Sequence, residues 1–273
     1  MVYRADEKGA GMINLSNQQK AILRQEENEF PKLFTHYSKT DYGYLFYNEG
    51  NKDSYDSNHA ILLPERVEDL GVVLNDVTAF YTNKGITPAI YHPLKRDYFE
   101  KHKNMFSNHG YSVSLEPDRR VFVLSDDSCI VWNDSLDVRR ISGWDNRITE
   151  HILIPNDQEY EAAVSMEKLK HEGCFVFAGY CGEKAVVYAD FHVSPLGCTH
   201  FDYIVTAKDE RGKGYARQLM HKVTQFCRDQ NFPLCATWFA NATSERLNID
   251  AGFRATNLCF EAGHATYCCN TAL

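Results

Sequence analysis

Short apolar runs alternate along the chain with longer stretches in which apolar residues return every three or four positions. That is the pattern of buried strands separated by amphipathic helices. After a polar arm over residues 1–15, Ser16 stands as N-cap of a helix predicted from Asn17 to about Phe34, with Ala21, Ile22, Phe30 and Leu33 roughly on successive turns. Tyr42–Tyr47 and His59–Leu63 read as strands around a polar hairpin or loop, Asn48–Asp56. Pro64 opens a helix carrying Val67, Leu70, Val73, Leu74, Val77 and Phe80, which Gly85 ends. Pro88–His92 is a further buried strand and Leu94–Asn108 a helix stopped by Gly110. Tyr111–Leu115 and Arg120–Leu124 predict an antiparallel pair turned by Pro117-Asp118.

The second half repeats this grammar. A helix is predicted over Asn156–Glu172, then a hairpin of Cys174–Tyr180 and Ala185–His192 through Gly182-Glu183. Thr199–Thr206 is a strand, Tyr215–Asp229 a helix, Leu234–Phe239 a strand, and Ala242–Ala251 a helix closed by Gly252. Phe253–Glu261 and Ala265–Cys269 predict a final pair around Gly263.

The stretch FDYIVTAKDERGKGYA, Phe201 to Ala216, organises this half. A strand, a glycine loop and a helix in that order bring backbone N–H groups and the positive end of a helix dipole to one point, which is a cradle for phosphate. Neither GxxxxGK[ST] nor GxGxxG is present. R-x-x-G-x-[GA] is, filled by Arg211, Gly214 and Ala216. It resembles motif A of the GNAT superfamily of N-acetyltransferases, whose loop holds the pyrophosphate of acetyl-coenzyme A.

The resemblance implies an α/β fold with a mixed sheet (α+β in its layering) and acetyl-CoA as acyl donor. It implies that Ile204, Val205 and Thr206 offer backbone groups to the pantetheine arm. It implies too that the amides of Arg211, Gly212, Lys213, Gly214, Tyr215 and Ala216 hold the pyrophosphate. Asn241, twelve residues before Phe253, matches a family position that contacts pantetheine, with an N-cap as the alternative, and Ser244 lies on the same helix. Many family members carry a Tyr five residues before that Phe, where this chain has Asn248. An amide is no general acid.

Val77-Thr78-x-Phe80 lies over Val223-Thr224-x-Phe226, Pro88 over Pro233, and His109-Gly110-Tyr111 over Ala251-Gly252-Phe253. We read two GNAT-like domains, each a central twisted sheet flanked by helices: a degenerate one over 1–135 and a cofactor-binding one over 136–273. The helix start of the first carries Glu65, Glu68 and Asp69 instead of a glycine loop, and carboxylates repel a pyrophosphate. The first half is expected to cover the second and wall the acceptor pocket.

Strand alternation puts His200, Asp202, Ile204 and Thr206 on one face and Thr199, Phe201, Tyr203 and Val205 on the other. His200 and Asp202 are the candidate bases, with a salt-bridged Asp and a hydrogen-bonded core His as the alternatives. Trp132, Trp144 and Trp238 read as packing.

Composition narrows the partners. A net charge of -8 speaks against broad nucleic-acid binding, so the cofactor's phosphates need a local nest. No run approaches a membrane span and the N-terminus has no apolar signal core, which predicts a cytoplasmic protein. The nine cysteines include no C-x-x-C pair and read as reduced thiols. His192, Cys198, His200 and His264 match no zinc spacing, so no metal is expected.

The reading is an N-acetyltransferase for a small amine or amino acid. A non-catalytic acyl-CoA-binding module, a peptide N-terminus as acceptor and transfer of a longer acyl group are the alternatives, and a homodimer stays open as the assembly.

Overall fold

The computed structural model describes residues 12–125, 136–239 and 241–268. Residues 1–11, Cys129, Trp132 and Cys269 lie outside the described residues. The first half runs α1 (Asn17–Glu29), β1 (His36–Thr40), β2 (Gly43–Tyr47), β3 (His59–Leu62), α2 (Leu70–Thr82) and β4 (Ala89–His92). It continues through α3 (Arg96–Lys101), α4 (Lys103–Asn108), β5 (Tyr111–Leu115) and β6 (Arg119–Leu124). The second half begins with β7 (Asp137–Ile141), α5 (Asn146–Ile148), α6 (Tyr160–Lys168), β8 (Cys174–Cys181) and β9 (Lys184–Ser194). It ends with β10 (Cys198–Thr206), α7 (Tyr215–Asp229), β11 (Cys235–Phe239), α8 (Ala242–Asp250), β12 (Phe253–Phe260) and β13 (Gly263–Tyr267).

Local signals explain most element ends. Ser16 makes a full capping box with Gln19, and Pro31 turns the end of α1 into a 3-10 turn short of Phe34. Pro64 starts only a 3-10 turn, and α2 begins after Asp69. The helix expected from Asn156 starts at Tyr160, because a 3-10 turn and a left-handed Asp157 precede it.

Two mixed sheets result, ordered β1-β2-β3-β4-β13-β5 and β7-β8-β9-β10-β11-β6-β12. They superpose as orders: β3 pairs parallel with β4 as β10 does with β11, and β13 occupies the place in the first sheet that β6 has in the second. Each half therefore lends one strand to the other's sheet. The hairpin expected through Gly182-Glu183 is present as β8 and β9, while two other expected pairs are corrected by this exchange. β5 and β6 do not pair, since the chain crosses sheets at Pro117-Asp118, and β12 and β13 do not pair either. Gly263 is a strand residue, small because a Cβ there would meet Phe99 Cδ2 at 2.7 Å. A cut at 135/136 would take a strand from the interior of each sheet.

The tandem architecture is thus present, with its halves interlocked. The first sheet packs its core against α2 through Val73, Leu74 and Val77. The second buries Leu219, Met220 and Val223 of α7 on one face and Ile148, Ile152 and Leu153 on the other. Leu23 of α1 joins Val121, Ala236 and Phe260 in a further cluster, which seats α1 on the second sheet. Among the described residues no helix is long and apolar enough to cross a membrane, and all cysteines there are free.

Candidate active site

β10 leaves the sheet at Thr206 and runs through a 3-10 turn, Lys208–Glu210, into the glycine loop. Gly212 and Gly214 have φ of +81° and +83°, a region that costs a residue with a Cβ roughly 1–2 kcal/mol. A Cβ on either would point into open space. Gly214 is the N-cap of α7 and supplies no side chain, so the amides of Tyr215 and Ala216 in the first turn have no intrahelical acceptor.

A cleft of about 720 Å³ opens at this point. Ile204, Val205, Thr206, Arg211, Gly212, Gly214, Tyr215, Ala216 and Ser244 all line it. Lys213 does not: its ammonium lies 2.6 Å from Glu210, which also holds Lys184. Asn241 does not either, because its Oδ1 accepts the Ser244 N–H at 2.9 Å and caps α8. Arg211 hydrogen-bonds Asn156, whose amide donates to the Thr206 carbonyl at 3.2 Å and ties loop to strand. Arg217 and Arg246 line the cleft as well; no motif position had pointed to them.

β10 and β11 pair only at Thr199–Cys235 and His200–Ala236. Beyond that the parallel strands stop pairing, and a cavity of about 190 Å³ lies between Asp202, Ile204, Thr237, Trp238, Ser244 and Asn248. Ile204 and Ser244 line both it and the cleft at the glycine loop. Phe201, Asp202 and Trp238 line both it and a third cavity, of about 460 Å³, against the first half of the chain.

A bulge sets the strand's faces here. Phe201 stands opposite Phe191 and Tyr203 opposite Asp190, so Asp202 is the extra residue. Phe201 and Ile204 consequently share the α7-side core, while Tyr203 and Val205 share the other. The simple alternation expected from sequence is corrected: Ile204 does not share a face with its predicted partners across the bulge. Tyr203 is no plain core residue: it is among the residues that line the middle cavity, and its hydroxyl is buried without a hydrogen-bond partner.

No curated protein sequence matches the chain. A sequence model of the acetyltransferase (GNAT) family matches residues 139–250. These residues form a GNAT domain. The whole chain is similar in fold to a GCN5-related N-acetyltransferase from Kribbella flavida, with TM-score 0.58 and 9% identity over 93% of this chain and 96% of that one. It is similar to another from Sphaerobacter thermophilus, with TM-score 0.53 and 12% identity over 92% and 91% of the two chains. A tandem GNAT protein from the clavulanic acid biosynthesis pathway matches with TM-score 0.50 and 12% identity over 77% and 75%.

Within the GNAT domain, the two candidate bases have different electrostatics. The Asp202 side chain is 2% exposed and lies 3.1 Å from Lys168 Nζ, 2.9 Å from His192 Nδ1 and 2.8 Å from His200 Nδ1. Burial alone would raise its pKa, but His192 and Lys168 outweigh it and hold the carboxyl well below its ordinary range. An acid that strong is a poor proton acceptor. His200 is shifted down, because burial outweighs the pull of Asp202, so its imidazole is neutral near pH 7. Its Nδ1 and Asp202 Oδ1 are 2.8 Å apart but poorly aligned for a hydrogen bond, and the neighbouring carboxylate favours the proton on Nδ1 and the free lone pair on Nε2. The ring stacks on Trp238 at 3.8 Å and 12°. Trp238 packs, as expected, and it also holds the candidate base in place.

Behind these two, His192 bonds Glu26 at 2.6 Å and Asp202 at 2.9 Å. Burial disfavours its imidazolium, yet the two carboxylates push it up to about 9. His192, His200 and Asp202 bring ligand atoms within 4.8 Å of one another, but both His192 nitrogens are engaged and Asp202 already faces Lys168. Asn248 is buried and donates to the Ser244 carbonyl at 2.8 Å.

The third cavity lies where the first half meets the GNAT domain. Glu27, Tyr55, Asp56, His59, Tyr91 and Arg119 line it from one side, His200, Asp202 and Trp238 from the other. No local sequence signal marks the former group, because α1, the loop before β3, β3, β4 and β6 contribute it from separate parts of the chain.

Proposed function

We propose that the protein is an acetyl-CoA-dependent N-acetyltransferase that acts on a small primary amine in the cytoplasm. One observation carries the reading: three adjoining cavities that share wall residues follow one another from the uncapped N-terminus of α7, past Ile204 and Ser244, to His200 and the space beyond. An acyl donor with its pyrophosphate on the loop would lay its thioester along that route. The fold similarity supports acyl transfer in general.

In this reading the glycine-loop amides hold the pyrophosphate, and β10 beyond His200 has backbone groups free of β11 for the pantetheine amides. His200 Nε2 takes a proton from the acceptor's ammonium. The neutral nitrogen attacks the acetyl carbonyl carbon, a C–N bond forms, the C–S bond breaks, and coenzyme A leaves as a thiolate that takes up, through water, the proton shed by the new amide nitrogen. Asp202 is a positioning residue that orients His200 and stays ionised.

A second reading, a binding module without turnover, draws on Asn248 at the position of the usual tyrosine, since its amide has no proton to give the thiolate. Incubation with acetyl-CoA and a panel of amines separates the two. Thiol release with an acetylated product in the mass spectrum supports the transferase, and tight coenzyme A binding without any release supports the module.

A further inference from the structure

The cavity between the two halves is short of positive charge. Arg119 lies 3.6 Å from Glu116, and His264 lies 2.9 Å from the same carboxylate. Asp202 is held by Lys168 and His192. Glu27 and Asp56 remain. Among the described residues neither has an ion-pair partner within 4.0 Å, and the hydrogen bond found for Glu27 comes from the Tyr91 hydroxyl at 3.3 Å. Glu27 feels Arg119, Glu26 and Asp202, yet burial dominates and pushes its carboxyl up to about 8.

A second observation points the same way. His59 is 4% exposed and lines this cavity. Its Nδ1 lies 3.1 Å from the Tyr55 carbonyl, which can only accept, so the proton sits on Nδ1 and Nε2 carries a bare lone pair. That Nε2 is buried with no hydrogen-bond partner. Burial keeps the ring uncharged. An unmet buried acceptor is costly until a donor arrives. Tyr55 stacks on His59 at 5.8 Å and 17°, and Tyr91 meets its edge at 5.7 Å. Aromatic faces beside carboxylates suit an ammonium group.

We propose that the acceptor is a small diamine: one amine reacts at His200, and the second, as an ammonium, is held by Glu27, Asp56 and His59. This rests on the transfer reading for the reacting amine, while the second ammonium site stands on the geometry just given. An amino acid would instead need its carboxylate on Arg119, whose Nε is buried without a hydrogen-bond partner while its guanidinium lies 3.6 Å from Glu116. The two free carboxylates and His59 Nε2 favour the second ammonium, and aminocaproate tests the other case.

The test uses three molecules of similar length: cadaverine, pentylamine and aminocaproate. Binding to the coenzyme A-loaded full chain is measured by calorimetry in two buffers of different ionisation enthalpy, beside thiol release with acetyl-CoA. Cadaverine is expected to bind at least about tenfold tighter than pentylamine, a difference of about 1.4 kcal/mol. Its binding releases protons as Glu27 ionises. Asp56→Asn, at an exposed position that spares the fold, and Glu27→Gln are each expected to reduce that preference severalfold. Equal affinity for cadaverine and pentylamine, tighter binding of aminocaproate, or an unchanged preference in both variants would overturn the proposal. Selective cadaverine binding without thiol release from any amine would leave the site standing and sink the transferase reading. Equal turnover of pentylamine and cadaverine would do the reverse.

Discussion

Asp69 and Gly214 stand at the same point of the two repeats, each the N-cap of the helix that follows a 3-10 turn after β3 or β10. Asp69 turns its carboxylate back onto its own helix and accepts the Val72 N–H at 3.2 Å. Gly214 has nothing to turn. One helix dipole is thus satisfied from within by a negative charge and the other faces an open cleft, so the second repeat is the one expected to receive a phosphate.

Replacing Gly214 by Val is expected to weaken coenzyme A binding at least about a hundredfold, close to 3 kcal/mol. Gly197 is the control: its φ is +93° and a Cβ there also meets nothing within 4 Å, but it lies at the other end of β10. Gly197→Val should cost a similar roughly 1–2 kcal/mol of stability and leave the affinity intact. Calorimetry and thermal melts read both. Equal losses of affinity in the two variants would place the anion away from the loop.

The first repeat should bind no coenzyme A. Titration is expected to give one site per chain, and Glu65→Gln with Glu68→Gln should not change it. Asp69→Ala should lower stability by about 1 kcal/mol through the lost cap, again with unchanged affinity. A second site, or a large affinity change in a folded variant, would contradict the division between the halves.

The glycine loop was legible in the sequence because its chemistry is local: Arg211, Gly214 and Ala216 lie within six residues, and α7 has the bounds its apolar stripe predicts. The strand exchange was not legible. Pro117-Asp118 and Gly263 carry turn-like residues, and nothing nearby says that the chain changes sheets there. The bulge at Asp202 was invisible for a similar reason, since it answers to Phe191 and Asp190 on the neighbouring strand. Glu27, Asp56, His59 and Arg119 meet His200 only through the interlocking of the halves. Asn241 shows a limit of a different kind: the residue type fits both a cofactor contact and a cap, and the local backbone uses it as a cap.

Stability should peak on the mildly acidic side and fall as pH rises. Glu27 and Glu161 are both raised by burial to about 8, so between about 4.5 and 8 the folded chain keeps protons that the unfolded chain has lost. His192, raised to about 9, contributes fully below its unfolded value near 6.5 and loses that contribution as pH climbs through 9. Both terms reduce stability with rising pH. Asp202 and Glu26 are lowered and act in the opposite sense only in acid. We expect the melting temperature to drop by about 5 °C or more between pH 5.5 and 9, and Glu27→Gln, which fixes the neutral form, to flatten the slope. A melting temperature that rises over this range would contradict the assigned protonation states.

The central claim is that His200 receives the acceptor's proton at the end of a path that starts at the glycine loop. The most direct test is the rate of thiol release from acetyl-CoA with an accepted amine, for the native chain and for His200→Ala, with coenzyme A affinity measured on the same samples. The account predicts a fall in turnover of about a hundredfold to ten-thousandfold, with affinity unchanged because His200 lies outside the phosphate cleft. It also predicts that the acidic limb of the native pH–rate profile lies below the ordinary histidine value and disappears in the variant. Full turnover and an unaltered profile in His200→Ala would contradict it.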